Sequence, residues 1–575
     1  MDNVELEQQV RARAAEWMQA PFDEETQAAV RALVEAGGEP LTEAFYTELE
    51  FGTGGLRGVM GVGTNRMNAY TVGQASQGLA RYLLSQIPAA EAAIAIAHDS
   101  RLNSPEFARV ASEVFAAHGI KAYLYDGLRP TPQLSFTVRE LGCTAGIVLT
   151  ASHNPKEYNG YKVYWADGGQ IVPPQDAGII AEVRSVALTE IQRAPGSELI
   201  VPIGAELDAA FERYVLGLRL DADLLANGSD LKLVYTPLHG TGAVSVTPAL
   251  RAAGFRNVAV VPEQAEPDGN FPTVHSPNPE EGAALEAAIA LAMSNGAQLV
   301  LGTDPDSDRV GIAVRQPDGT FRLLNGNETG ALLVDYVLRG LASAGRMPEH
   351  PFVAKTIVTS ELMAEIARHR GIEVVETLTG FKWIAAAIRE REGQSQFVVG
   401  GEESYGYMIG DRVRDKDAVA SACLIAEVAH ACGGDLLGEL RRIHQEVGAY
   451  KEALVSQTLQ GRAGKQAIAD RMEGFRSNPP ESLAGESVVE LRDYRDGVVR
   501  DLVSGADRPT GLPASNVIQF VTAEGAIVTA RPSGTEPKIK FYFSVRATPE
   551  AARADYEGTM RDLEARIEAL KAAFV

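Results

Sequence analysis

Ala93-Ile94-Ala95-Ile96-Ala97 is a short apolar run that stops at His98-Asp99-Ser100-Arg101. An unbroken run of this length, ended by polar residues, reads as a strand. Ser104 is a good helix N-cap, and Pro105 suits the first helical position. Phe107, Val110, Ala111, Val114 and Phe115 then recur at i, i+3, i+4, i+7 and i+8, one apolar face of a helix. Gly119 supplies a stop, and Ala122-Tyr123-Leu124-Tyr125 starts a second strand. Gly146-Ile147-Val148-Leu149 makes a third, which runs into Thr150-Ala151-Ser152-His153-Asn154-Pro155. Strands alternating with a helix of this length make an α/β unit.

The same plan recurs twice. Leu233-Val234-Tyr235 leads through His239-Gly240-Thr241-Gly242 and a helix to Val258-Ala259-Val260-Val261. After another helix, Leu299-Val300-Leu301 runs into Gly302-Thr303-Asp304-Pro305-Asp306-Ser307-Asp308. The third copy starts at Phe352-Val353-Ala354, passes a helix beginning near Ser360 and reaches Val374-Val375. It ends with Phe397-Val398-Val399 entering Gly400-Gly401-Glu402-Glu403-Ser404. This is a repeat of pattern and not of residues, and it is too long for a solenoid repeat. Beyond about residue 450 the strands are short: Val517–Val521, Ala526–Thr529 and Ile539–Val545. They precede a helix opened by Thr548-Pro549, as in an α+β unit with an antiparallel sheet. The expected architecture is therefore α/β with four domains: three similar α/β units with mixed sheets, then an α+β domain, around a central cleft. The boundaries fall at 1–220 (with an N-terminal helical, charged extension), 221–321, 322–449 and 450–575.

Length agrees with that count, since 575 residues at about 150 per domain give roughly four. Hydrophobic residues make up 45% and charged residues 22%, which excludes a disordered chain and a collagen. With 53 Lys+Arg against 76 Asp+Glu the net charge is −23, a poor match to sequence-independent nucleic-acid binding. The three cysteines, Cys143, Cys423 and Cys432, form no CxxC and point to a reducing compartment. The acidic N-terminus does not read as a signal peptide, and no apolar run approaches the roughly 18 residues of a membrane span. The expectation is a cytoplasmic protein without nucleic-acid or membrane partners.

Ligands of α/β units sit beyond the carboxyl ends of strands. Three polar loops here each follow the last strand of their unit. In the first, Ser152 at a strand exit can act as a nucleophile, and the neighbouring His153 invites a triad. No G-x-S-x-G elbow supports acyl chemistry. In the second, Asp304, Asp306 and Asp308 alternate, and in an extended stretch alternate residues face one way. Their hard oxygens suit Mg²⁺. An EF-hand would need Gly and Glu where Arg309 and Arg315 stand. In the third, Gly401-Glu402-Glu403-Ser404-Tyr405-Gly406 offers groups suited to sugar hydroxyls, which both donate and accept. A fourth loop, Arg531-Pro532-Ser533-Gly534-Thr535-Glu536-Pro537-Lys538, has the make-up of a phosphate cradle but lacks the P-loop pattern.

In type, order and spacing the four loops resemble those of the α-D-phosphohexomutase superfamily, and Phe51-Gly52-Thr53-Gly54-Gly55-Leu56-Arg57-Gly58 joins them. The resemblance covers nearly the whole chain except its first 40 or so residues. Gly401-Glu402-Glu403-Ser404 looks like the glucose-preferring sugar loop. Thr379-Gly380-Phe381-Lys382-Trp383 and the N-terminal extension look like the branch that holds bacterial phosphoglucomutases and animal phosphopentomutases. The resemblance implies reversible conversion of α-D-glucose 1-phosphate to glucose 6-phosphate by an intramolecular phosphotransferase, with glucose 1,6-bisphosphate as intermediate and activator. Ser152 would be the phosphoserine. Asp304, Asp306 and Asp308, completed by Ser152, would hold Mg²⁺. Arg57 and Lys162 would flank the reacting group, with Lys162 the leading general base and His153 beside them. Glu402 and Ser404 would grip sugar hydroxyls. Arg531, Ser533, Gly534 and Thr535 would bind the non-reacting phosphate, and Arg309, Lys382 and Lys416 would also meet the substrate.

Pentose or mannose phosphates are the alternative substrates within this class. A metal-dependent sugar phosphatase or a non-enzymatic sugar-phosphate binder are the alternatives outside it. A monomer or homodimer is expected. The acidic surface does not oppose an anionic substrate, because screening acts over about 8 Å at physiological salt.

Overall fold

The apolar run at Ala93 forms the strand Ala93–His98, inside a six-stranded sheet of the computed structural model. The structure describes residues 3–52, 54–459, 461–533 and 538–574. Across this sheet the strands run Gly55–Val59, Tyr158–Trp165, Ala145–Leu149, Ala93–His98, Lys121–Tyr125 and Ile200–Ile203. The last four are parallel, whereas Tyr158–Trp165 is antiparallel to both its neighbours, so the sheet is mixed. Ile94 and Ile96 enter a core with Leu79, Phe107 and Phe115, while Ala95 and Ala97 enter another with Tyr125, Leu134 and Tyr164. Burial on both faces is why the run lacks polar alternation.

A second mixed sheet runs Phe321–Leu324, Val310–Arg315, Leu299–Thr303, Ser229–Thr236 and Phe255–Val260. These two sheets belong to one compact unit, made of residues 1–324, 388–392 and 406–434. The other unit comprises 325–387, 393–405 and 435–575. In it the strands Glu373–Thr377, Pro351–Thr356 and Gln396–Glu402 lie parallel. The chain then forms a fully antiparallel sheet ordered Ala449–Thr458, Lys538–Ala547, Ile527–Pro532, Ile518–Thr522, Glu486–Asp493, Val498–Asp501 and Asp507–Pro509. Phe520, Phe541 and Phe543 of this sheet pack with Leu563, Ile567 and Phe574 of the closing helix Tyr556–Phe574. Three α/β domains followed by an antiparallel-sheet domain is the class expected from sequence.

Two local expectations shift. Ser104 is the first helical residue of Ser104–Ala117 and not its cap; Asn103 holds that place with φ of 64°. The Ser104 hydroxyl instead donates to Asp99 Oδ1 at 2.9 Å, a buried acceptor that outcompetes the helix end. Thr548 does cap a helix, but that helix, Pro549–Ala554, is a short one that precedes Tyr556–Phe574. Among the described residues no single helix is long and apolar enough to cross a membrane.

Candidate active site

Ser152 follows the strand Ala145–Leu149 and sits in left-handed backbone, φ 52°, uncommon for a residue with a Cβ. The loop is held by Arg101, a fully buried arginine. One guanidinium nitrogen donates to Ser152 O at 2.6 Å and also to Asn154 O; the other donates to Pro155 O at 2.9 Å and Tyr158 O at 3.0 Å. Asp99, 3.3 Å from Arg101 Nε and equally buried, answers the charge. The ring of Phe271 lies 5.1 Å from the guanidinium carbon. Gly55 lets the strand Gly55–Val59 join Tyr158–Trp165: its φ is 131°, and a Cβ there would sit 1.8 Å from Tyr161 O. That pairing places Arg57 opposite Gly160, with its Nη1 donating to Asn154 Oδ1 at 3.2 Å.

The Asp304, Asp306 and Asp308 carboxylates converge beside Ser152, their oxygens within 4.8 Å of one another. They do so through a turn and not an extended stretch. Ser307 N donates to Asp304 O, Ser307 has φ of 52°, and Asp304 Oδ1 accepts from the Asp308 and Arg309 amides. Thr241, from the His239–Gly242 stretch, supports this turn through Pro305 O and Ser307 Oγ. Asp304 Oδ2 accepts from Ser152 Oγ at 2.7 Å. Asp306 Oδ2 accepts from Lys162 Nζ at 2.7 Å and Thr131 Oγ1 at 2.8 Å. Asp308 Oδ2 lies 3.1 Å from both Lys162 Nζ and Lys416 Nζ.

Asp306 Oδ1 and Asp308 Oδ1 are buried and accept no hydrogen bond. Buried carboxylate oxygens left over in a hard-oxygen cluster fit a divalent cation. Burial, then Asp306 and Asp308, push the Asp304 carboxyl well above the usual range. Burial opposes ionisation of Asp308 too, but Lys162, Lys416 and Arg309 outweigh it and hold its carboxyl low. Burial disfavours the charged form of Lys162, yet Asp306 and Asp308 outweigh it and leave an ammonium. His153 Nδ1 is 3.2 Å from Ser152 Oγ, and burial followed by Arg309 and Arg57 keeps its imidazole neutral. Arg309 pairs with Glu280 and lies 3.9 Å from Asp308 Oδ1.

The other expected residues lie in the second unit. Glu402 ends the strand Gln396–Glu402, and its Oε1 accepts from Gly380 N at 2.7 Å. Glu403 Oε2 accepts from Thr359 Oγ1 at 3.0 Å; burial raises its carboxyl, against the pull of Arg531 and Lys540. Gly326 allows the loop to close on the helix Gly326–Ser343, since a Cβ there would lie 1.9 Å from Glu403 O. Ser404 is half-buried, and Lys382 Nζ rests over the Trp383 ring at 5.3 Å. Arg531 Nη1 donates to Tyr542 Oη at 3.4 Å, and Ser533 N donates to Lys538 O at 2.7 Å. Gly534 and Thr535 lie outside the described residues.

Arg101, Asp99, Thr131, Tyr164 and Asp415 also serve this site, and the sequence reading gave none of them a role. Asp99 and Arg101 at least stand in a polar strand exit, which is a signal of position if not of purpose. Thr131, at a helix start, carries no such signal.

The phosphoglucomutase/phosphomannomutase family matches the chain in three successive blocks. Its alpha/beta/alpha domain I fits residues 48–190, domain II residues 212–319 and domain III residues 325–446. A phosphoglucomutase of Staphylococcus haemolyticus (strain JCSC1435) is 40% identical over 509 residues, 88% of this chain and 91% of the relative. One of Staphylococcus aureus (strain MSSA476) is 39% identical over 514 residues, with the same shares. The crystal structure of a putative phosphomannomutase from Thermus thermophilus superposes with a TM-score of 0.66 at 25% identity, covering 90% of this chain and 99% of that one. The open form of a Paramecium phosphoglucomutase, pp63/parafusin, shares the fold with a TM-score of 0.62 at 17% identity, covering 92% and 96%. With most of its length matched in domain order and at 40% identity, the chain belongs to the phosphoglucomutase/phosphomannomutase family of the α-D-phosphohexomutases.

Proposed function

We propose that the chain interconverts α-D-glucose 1-phosphate and glucose 6-phosphate, with Ser152 carrying the phosphoryl group between the two positions. The observation that carries the reading is Ser152 Oγ, 2.7 Å from Asp304 in a buried aspartate triad answered by two lysines. The staphylococcal phosphoglucomutases support glucose as the sugar.

In the first half-reaction the sugar's free hydroxyl oxygen bonds to phosphorus as the bond from phosphorus to Ser152 Oγ breaks; the Lys162 ammonium gives a proton to the departing Ser152 Oγ and takes up the sugar's hydroxyl proton in its place. The product is glucose 1,6-bisphosphate. In the second, Ser152 Oγ attacks the other phosphoryl group, its hydroxyl proton passes to Lys162, and Lys162 protonates the sugar oxygen that leaves. Asp304, Asp306 and Asp308 would hold a divalent cation, Mg²⁺ in this reading, whose positive charge would favour departure of the serine oxygen and weaken the hold of Lys162 on its proton. Phosphate-monoester chemistry needs accelerations approaching about 10²¹-fold, and positioning with charge stabilisation must supply nearly all of it. Arg57, Arg309 and Lys416 bring cations to the transfer end. Glu402, Ser404 and Lys382 take the sugar, and Arg531 with the loop of Ser533, Gly534 and Thr535 takes the non-reacting phosphate. The same reading makes the enzyme cytoplasmic, a monomer or homodimer.

The test is intact mass and peptide mapping after incubation with glucose 1,6-bisphosphate. A phosphoryl group on Ser152, absent in Ser152→Ala, is expected; an unmodified Ser152 would sink the mechanism. A panel of glucose, mannose, ribose and deoxyribose 1-phosphates decides the sugar, and released inorganic phosphate would mark a phosphatase.

A further inference from the structure

Lys416 reaches the aspartate triad from far along the chain, and its position there is not self-evident. It shares Asp308 Oδ2 with Lys162, each ammonium 3.1 Å from the same oxygen. Two like charges on one acceptor repel, and a lysine stem has four rotatable bonds with which to retreat. The structure shows what holds it. Asp415 Oδ1 accepts both from Lys416 Nζ and from Lys416 N, each at 2.8 Å. Asp415 Oδ2 accepts from Tyr164 Oη at 2.7 Å. Asp415 and Tyr164 are both essentially unexposed, so these bonds face little competition from water. Tyr164 lies two residues beyond Lys162 on the strand Tyr158–Trp165, on the same face. The strand that aims one lysine thus also anchors the other. Gly406 leaves room for the Lys416 stem, because a Cβ there would sit 2.1 Å from Lys416 Cδ. The segment is docked independently, through Arg414 N on Ser135 Oγ at 2.8 Å and a bridge from Gly169 to Arg414.

We propose that Tyr164 and Asp415 are positioning residues that hold the Lys416 ammonium at Asp308. The proposal rests on the phosphoryl-transfer reading above. It assigns Tyr164 no contact with substrate; its hydroxyl fixes the rotation of the Asp415 carboxylate, and that carboxylate offsets the repulsion between the lysines.

The test is steady-state kinetics of the full chain with Mg²⁺, α-glucose 1-phosphate and glucose 1,6-bisphosphate. The variants are Tyr164→Phe, Asp415→Asn, Lys416→Met and the double variant Tyr164→Phe/Lys416→Met. A misplacement near 1 Å costs on the order of 100-fold, so losing one orienting bond should lower kcat about tenfold in Tyr164→Phe while KM stays within about twofold. Asp415→Asn should lower it at least as far. In the Lys416→Met background, Tyr164→Phe should cost nothing more, because the residue it positions is gone. A purely structural tyrosine would lower the melting temperature and multiply its loss with that of Lys416→Met. Multiplicative losses, or an unchanged kcat in Tyr164→Phe and Asp415→Asn alongside an impaired Lys416→Met, overturn the positioning role alone. Full activity in Lys416→Met removes Lys416 from the reaction, and this proposal with it.

Discussion

Arg101→Met keeps an unbranched stem in a buried slot and removes every hydrogen bond that the guanidinium makes to the loop around Ser152. The carbonyls of Ser152, Asn154, Pro155 and Tyr158 lose a donor together. Asp99, fully buried, loses its cation. Breaking a buried pair from one side costs about 3–5 kcal/mol, and each carbonyl that water cannot reach adds about 1–3 kcal/mol. The first term sets a floor, since the loop lies close enough to the surface for some carbonyls to be rehydrated. A local loss of about 3–5 kcal/mol speeds opening by roughly a hundred- to a few-thousand-fold. Hydrogen exchange by mass spectrometry reads this directly: peptides spanning 145–165 should lose protection by that factor, while those spanning 526–547 in the other unit serve as the control. Burial already raises the Asp99 carboxyl against the pull of Arg101, so without Arg101 it takes up a proton more readily. After correction for intrinsic exchange, the defect should therefore shrink as pH falls. Asp99→Asn in the same chain should recover part of it. Unchanged protection of 150–158 in Arg101→Met would refute the clamp.

Asp306→Ala should abolish the heat of Mg²⁺ binding in calorimetry and nearly all activity, with the far-ultraviolet spectrum retained; full activity would refute the metal assignment. Gly326→Ala drives a methyl into Glu403 O and should raise KM for glucose 1-phosphate about tenfold, more than it lowers kcat, in a coupled assay. Asp417 is buried, and burial lifts its carboxyl from an ordinary 3.8 to about 7. A raised carboxyl favours the fold below pH 3.8 and loses that contribution as pH rises through about 7. The melting temperature of the wild type should thus fall relative to Asp417→Asn across that window, and parallel curves would contradict the assignment.

The fold was legible where burial is two-sided and local. Gly146–Leu149 and Leu299–Leu301 announce themselves as strands because nothing polar interrupts them, and Phe107 to Phe115 because one helical face repeats. The aspartates were legible as a set because three carboxylates between apolar strands have few other uses. Their geometry was not, since it depends on Ser307 in left-handed backbone and on Thr241 from a distant strand exit. Arg101 escaped for a related reason. Its acceptors are main-chain carbonyls about 50 residues away, and carbonyls have no sequence signature. Tyr164 reads as one more aromatic in a strand until the register opposite Gly146 shows which face it takes.

The first unit borrows residues 388–392 and 406–434 from late in the chain. Its chemistry is therefore finished out of order during synthesis. Asp308 emerges well before Lys416, and at about 5–20 residues per second the intervening stretch takes roughly 5–20 s to make. For that interval a nascent first unit has its aspartates and Lys162 but not the second lysine. During that interval a growing chain has the nucleophile without the full set of cations around it, so a half-made enzyme is poorly equipped to capture a phosphoryl group.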